Sequence, residues 1–202
     1  LIGAFIVCDN ARESLEASCN ASGSQGSPAN WKIDETQEHE LQCWAEAKGV
    51  WIPNSEQMLC QSFGDKIAEG AEAKVYYKTG DTHVVKLRTS IYATLGRGLE
   101  AIALHNALFP ETIMRIVGFT RDDDELFRII LTQPYIECQR LASKEEIDNM
   151  VVSKGFQDNG DGKGINYISD HLHLEDMHPA NVFIEPNTGL PVCIDCIVKF
   201  RR

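Results

Sequence analysis

Leu174-Glu175-Asp176-Met177-His178-Pro179-Ala180-Asn181-Val182-Phe183-Ile184 is the stretch on which the reading of this chain turns. Asp176 stands five positions before Asn181, Pro179 lies between them, and an apolar run follows. Proline favours a turn, so a carboxylate and an amide share one loop at the start of a strand. The sequence Pro186-Asn187-Thr188-Gly189 reads as the turn of a hairpin that returns the chain to Ile194-Asp195, where a second carboxylate waits. Two polar residues at a fixed spacing often arise by chance. What gives these their weight is the order of elements that precede them.

The chain has 202 residues, enough for one ordinary domain or two small lobes with a core. Its hydrophobic content of 43% and charged content of 24% are those of a globular protein. The formal net charge of −11 argues against nucleic acid or an anionic membrane as partner, since both attract clustered Lys and Arg. It leaves nucleotides open, because a phosphate site depends on local amides and one or two cations. Seven cysteines are scattered without a small-domain framework, which places the expected compartment in the reducing cytoplasm. Cys193-Ile194-Asp195-Cys196 is a single C-x-x-C inside an apolar run, read as two core cysteines in a strand. Residues Leu1 to Cys8 are apolar but too short to cross a bilayer, and they lack a signal peptide's basic start. A chain opening on Leu is expected to be a processed product or part of a longer polypeptide, whose other domains are then possible partners.

Residues 1–30, rich in Ser, Asn, Gly and Ala, read as a tail or linker. Residues 31–63 read as a helical N-terminal extension. Asp34 with Gln37 three positions on predicts a helix start, Gly49 its end, and a second short helix follows near Ser55 to Gln61. From Lys66 the pattern turns to strands: a hairpin from Ile67 to Tyr77, then a strand from Thr82 to Arg88. A helix is expected from Ser90 to Leu108, ended by Pro110. Two more strands, Ile113 to Phe119 and Leu126 to Leu131, flank the acidic turn Arg121-Asp122-Asp123-Asp124. Ser143 with Glu146 predicts a capped helix ending at Gly155. Residues 157–164 form a Gly/Asp-rich turn in which Lys163 would occupy a ligand position of a calcium loop, which argues against one. Strands at 166–173, 182–185 and 190–198 finish the chain.

Asp176 to Asn181 resembles the catalytic loop of kinases, H-R-D-x-x-x-x-N, and the strand-and-helix order before it is that of a kinase N-terminal lobe. The resemblance implies an α+β, protein-kinase-like fold. It has a five-stranded antiparallel N-lobe with one inserted helix over residues 64–137, and a strongly reduced C-lobe over residues 138–202. It also implies ATP and Mg2+ as cofactors, and a role for each matching residue. Ile67-Ala68-Glu69-Gly70-Ala71-Glu72-Ala73 is similar to the Gly-rich loop, where small side chains let backbone amides approach phosphate. His83-Val84-Val85-Lys86 is similar to V-A-I-K, making Lys86 the α/β-phosphate contact and Glu100 on the next helix its ion-pair partner. Gln133-Pro134-Tyr135-Ile136 stands where the adenine hinge would lie, with Gln133 and Tyr135 binding through their backbone. Asp176 becomes the catalytic carboxylate, and Asn181 and Asp195 become the metal ligands. Asp-Met-His-Pro-Ala-Asn is closer still to the D-L-H-P-G-N loop of aminoglycoside-phosphotransferase-like kinases, which sets His178 near the transferred phosphate.

More narrowly, three stretches resemble the small kinase-like domains of bacterial polyvalent proteins, encoded on phages and conjugative elements. They are Trp44-Ala45 with Gly49-Val50-Trp51-Ile52, Ala68 through Tyr77, and Leu104-His105-Asn106 through Phe109-Pro110-Glu111-Thr112. The chain departs from the kinase pattern at Ile194-Asp195-Cys196-Ile197 in place of D-F-G, at Leu174-Glu175 in place of His-Arg, and in having seven residues after Asp195. Recognition of a peptide substrate is therefore not expected, and the acceptor of the phosphoryl group is unknown. Two alternatives stand beside the phosphotransferase. One is a catalytically inactive nucleotide-binding module of a larger mobile-element protein. The other is a metal-dependent hydrolase built on His171, His173 and His178, the first two sharing a strand face.

Overall fold

The computed structural model describes residues 31–52, 56–70, 72–89 and 95–201. The expected tail over residues 1–30 lies outside them, as does Ala71. The chain divides into two compact units. One holds the residues up to Leu99 with Met114–Gln133, and the other holds Glu100–Ile113 with Pro134–Arg202.

The first unit is built on a five-stranded sheet. Its strands are β1 (Asp65–Glu69), β2 (Ala73–Tyr77), β3 (His83–Arg88), β4 (Arg115–Arg121) and β5 (Phe127–Pro134). They lie in the order β1-β2-β3-β5-β4, with β1–β2, β2–β3 and β4–β5 antiparallel. Helix α1 (Trp31–Lys48) begins three residues earlier than the sequence predicts. A helix N-cap and a first turn both favour Asp, so Asp34 marks the start without fixing it. Gln37, expected as half of a capping box, is buried. Gly49 ends the helix at φ 68°, and the next residues run along the edge strand β4. Ile52 N–H donates to the Phe119 carbonyl at 2.8 Å, and Phe119 N–H donates to the Val50 carbonyl at 3.0 Å. Gly118 makes this approach possible: a Cβ there would lie 2.7 Å from the Val50 carbonyl oxygen. Trp44 packs edge-on to Phe119, Trp51 packs on Phe127, and Arg121 pairs with Glu38 of α1 at 3.0 Å. The extension thus covers a sheet edge that would otherwise present open backbone groups.

Helix α2 (Glu56–Phe63) covers one face of the sheet. Its Leu59 joins Tyr76, Val85, Leu87 and Ile130 in a buried cluster, flanked by Ile52, Cys60 and Phe63. Side chains alternate along a strand, so Val85 and Leu87 face α2 while Val84, Lys86 and Arg88 face the other way.

Helix α3 (Leu95–Leu108) follows β3, and its expected beginning from Ser90 lies outside the described residues. The division between the two units falls within it, between Leu99 and Glu100.

The second unit contains the latter part of α3, a 3-10 turn (Pro110–Thr112), α4 (Lys144–Ser153) and two small sheets. One has the order β11-β10-β6 and the other β12-β9-β8-β7. The strands are β6 (Arg140–Leu141), β7 (Gln157–Asp158), β8 (Tyr167–Ile168), β9 (Leu172–Glu175), β10 (Val182–Ile184), β11 (Pro191–Cys193) and β12 (Ile197–Phe200). Ser143 caps α4 in a complete capping box with Glu146, as the sequence predicts. The core gathers Phe109, Ile147, Val151, Phe156, Tyr167, Leu174, Met177, Val182, Ile184, Cys193 and Val198. Tyr167 ties β8 to α4 by donating its hydroxyl to Asp148 at 2.7 Å. Burial and that bond push its phenol up to about 12.

Two expected strands are each divided. The run at 166–173 folds as the hairpin β8–β9, with Tyr167 opposite Leu174 and a turn closed by Ser169 N–H donating to the Leu172 carbonyl. His171 therefore sits in that turn, and it does not share a strand face with His173 as expected. The run at 190–198 breaks at Ile194–Cys196, since β11 pairs with β10 while β12 pairs with β9. One strand cannot serve two partners in two sheets without a bend between them. Apolar runs conceal such a bend, because both halves have the same composition. Among the described residues, no helix is long and apolar enough to cross a membrane.

Candidate active site

Asp176 and Asn181 converge as their spacing predicts. The loop between β9 and β10 turns sharply at Asp176, which has a left-handed φ of 64°. Asp is among the few residues besides Gly that take that conformation, and surrounding contacts fix it. Four backbone contacts do so here. Asp176 N–H donates to Asn166 Oδ1 at 3.2 Å, and Met177 N–H donates to the Ile165 carbonyl at 2.9 Å. The Asp176 carbonyl accepts from His178 N–H at 2.9 Å and from Asn181 Nδ2 at 3.0 Å. Met177 anchors the loop from below, fully buried among the core residues. A single 3-10 turn, Pro179–Asn181, then delivers the amide.

The side chains of this loop meet at its surface. Asn181 Nδ2 donates to Asp176 Oδ2 at 3.0 Å and lies 3.2 Å from His178 Nε2, which is 3.5 Å from Asp176 Oδ1. The amide nitrogen is thereby committed to the carboxylate, leaving Oδ1 as the Asn181 oxygen that can meet a cation. Asp176 and His178 are each about two-fifths exposed, so solvent or a ligand reaches them.

Asp195 is brought beside this loop by strand pairing. Val182 stands opposite Cys193, and one step on, Ile194 N–H donates to the Asn181 carbonyl at 2.9 Å. Asp195 follows in the break between β11 and β12, its Oδ1 accepting from Cys196 N–H at 3.0 Å. The two flanking cysteines are buried, in agreement with their reading as core residues, although they bracket a break and do not share a strand. An amide oxygen and a carboxylate are hard donors suited to magnesium, which takes few protein oxygens and completes its shell with phosphate and water.

The remaining expected residues have these places. Lys86 is buried on β3, opposite Val75 and on the sheet face away from α2. Gly70 is exposed in the β1–β2 turn, its N–H donating to the Ala73 carbonyl at 2.9 Å. Glu72 in the same turn is tied to Arg88 at 3.2 Å. Glu100 is half-buried on α3. Gln133 is buried at the end of β5 and Tyr135 is exposed two residues on, and the chain passes from one unit to the other between Gln133 and Pro134. His173 faces Glu175 at 4.0 Å. Among the described residues, no three His, Cys, Asp or Glu side chains gather as a metal site.

Asn166 was not legible as a site residue. It lies ten positions before Asp176, at the first position of the run expected as the strand 166–173. Its amide bridges two loops, accepting from Asp176 N–H and donating to Asp161 Oδ2 at 2.6 Å.

No curated protein matches the chain significantly. Residues 34–202 match Kinase-PolyVal, described as the serine/threonine/tyrosine kinase found in polyvalent proteins. That match spans the five-stranded sheet, the Asp176–Asn181 loop and Asp195, and the chain accordingly belongs to the family of kinases found in polyvalent proteins.

Proposed function

We propose that the chain transfers the γ-phosphoryl group of ATP, with Mg2+, to a hydroxyl acceptor. The observation that carries this reading is the convergence of Asp176, His178 and Asn181 in one loop, with Asp195 set beside Asn181 by the Ile194–Asn181 backbone bond. Phosphoryl transfer asks for position and charge neutralisation more than for covalent help. Asp176 orients the acceptor hydroxyl and takes up its proton as the new oxygen–phosphorus bond forms. The bond from the γ-phosphorus to the β–γ bridging oxygen breaks, and ADP leaves. Asn181 and Asp195 would hold magnesium, which neutralises charge on the β- and γ-phosphates. Lys86 supports the α- and β-phosphates and Glu100 positions Lys86. Gly70 and Ala71 offer backbone amides to the phosphates, Gln133 and Tyr135 bind adenine through their backbone, and His178 lies by the transferred group.

The acceptor is a hydroxyl compound of unidentified class. The setting that fits the family is a bacterial, mobile-element polyvalent protein working in the cytoplasm, with other domains of that polypeptide as partners. Neither nucleic acid nor membrane is a partner on the charge argument above.

Calorimetry with a non-hydrolysable ATP analogue tests the reading. Wild type should bind it with Mg2+ present, and Asp195→Asn should weaken that binding at least tenfold. Absence of binding by folded wild type at millimolar analogue would overturn the proposal.

A further inference from the structure

Two polar side chains far from Asp195 in sequence reach the residues on either side of it. Thr112, fully buried in the 3-10 turn after α3, donates its hydroxyl to the Cys193 carbonyl at 2.6 Å. His105, buried on α3, places Nε2 3.3 Å from both the Thr112 hydroxyl and the Thr112 carbonyl, and Nδ1 3.3 Å from Cys196 Sγ. The short Thr112–Cys193 contact needs the hydroxyl proton. A proton on Nε2 suits the Thr112 carbonyl, which can only accept, and Nδ1 then faces the Cys196 thiol. Cys193 Sγ in turn contacts the Asp195 carbonyl at 3.2 Å, and Cys196 N–H contacts Asp195 Oδ1 at 3.0 Å. Every polar step from α3 to Asp195 is thereby made within the second unit.

We infer that His105 and Thr112 are positioning residues for Asp195, acting through the backbone and thiols of Cys193 and Cys196. The inference rests on the reading of Asp195 as a magnesium ligand. A purely apolar core would pack these positions equally well. Burying four polar groups is costly unless each finds a partner, and here their partners converge on one carboxylate segment. The segment needs such support because it is a break between two sheets, outside either ladder. In this account the C-x-x-C pair has a definite role: the two cysteines carry the hold of α3 and Thr112 to the residue between them.

The test is a Mn2+ titration followed by electron paramagnetic resonance, on the full chain with a non-hydrolysable ATP analogue. The proteins are wild type, Thr112→Val, Thr112→Ser and His105→Gln, each with its melting temperature recorded. Thr112→Val keeps the shape and removes the donor, and it should weaken Mn2+ binding about tenfold, at the low end of the effect of losing a ligand's supporting partner. Thr112→Ser keeps the donor and should stay within about twofold of wild type. Affinity for the analogue without metal should be equal in all four. If Thr112→Val does not fold, His105→Gln carries the same expectation. Wild-type Mn2+ affinity in the folded Val or Gln variant overturns the inference, and so does an equal loss in Val and Ser. Wild type that takes up no Mn2+ with the analogue would instead refute the magnesium role of Asp195, and the inference with it.

Discussion

At the residue scale the account depends on Asp176 and the contacts that hold its left-handed backbone. Its side-chain partners, Asn181 and His178, were legible because they lie on the same short loop and spacing alone brings them together. Asn166 was not, because nothing at the start of an expected strand tells that its amide will reach ten residues ahead. The structure makes Asn166 a support of the Asp176 turn, accepting from Asp176 N–H. Asn166→Ala should therefore lower the rate of phosphoryl transfer by roughly tenfold to a hundredfold, in the range of a misplaced catalytic group. Nucleotide affinity should remain near that of wild type. Parallel rate and calorimetry measurements check this, and a loss confined to nucleotide binding would contradict it.

Elements were legible where a local signal coincided with a tertiary one. Ser143 and Glu146 form their capping box as read, and the five strands of the first unit fall close to their expected bounds. Signals failed where one run turns back on itself as a hairpin, as at 166–173, or serves two sheets, as at 190–198. The β4–β5 turn hides another feature. The run Arg121 to Asp124 reads as an acidic turn, yet Asp122 is buried. It accepts from Arg128 Nε at 2.7 Å, from Asp124 and Leu126 N–H, and lies 3.5 Å from Lys74 Nζ. Burial alone would raise its pKa, but Arg128, the Leu126 N–H and Lys74 together hold it below the ordinary carboxylate value. A depressed folded pKa means that the contribution is whole above the unfolded value, near pH 4, and is lost as pH falls through the folded one. Asp122→Asn leaves the buried Arg128 without its anion, while Lys74 keeps Asp124 at 4.0 Å, and should cost about 3 kcal/mol at pH 7. Urea unfolding at pH 7 and pH 3 should show the gap between wild type and variant narrowing in acid, and an unchanged gap would refute the role given to Asp122.

For the whole molecule, the order of elements carried the fold reading further than any single motif. A β1–β2 turn around Gly70, a lysine strand, a helix and two more strands precede the Asp176 loop, and the family match covers the same span. What the sequence could not disclose is how the Asp195 segment is held, because His105, Thr112 and the two cysteines are separated by more than eighty residues and look like core composition. The central claim is that Asp176 acts on an acceptor hydroxyl in a phosphoryl transfer. The most direct measurement is transfer from γ-labelled ATP, to water, to the protein itself or to small hydroxyl compounds, by wild type and Asp176→Asn. The account predicts transfer by wild type and a loss of at least a hundredfold in the variant, with nucleotide affinity kept. Equal transfer by the two proteins would contradict it. Nucleotide binding without transfer by either would mark the chain as an inactive nucleotide-binding module.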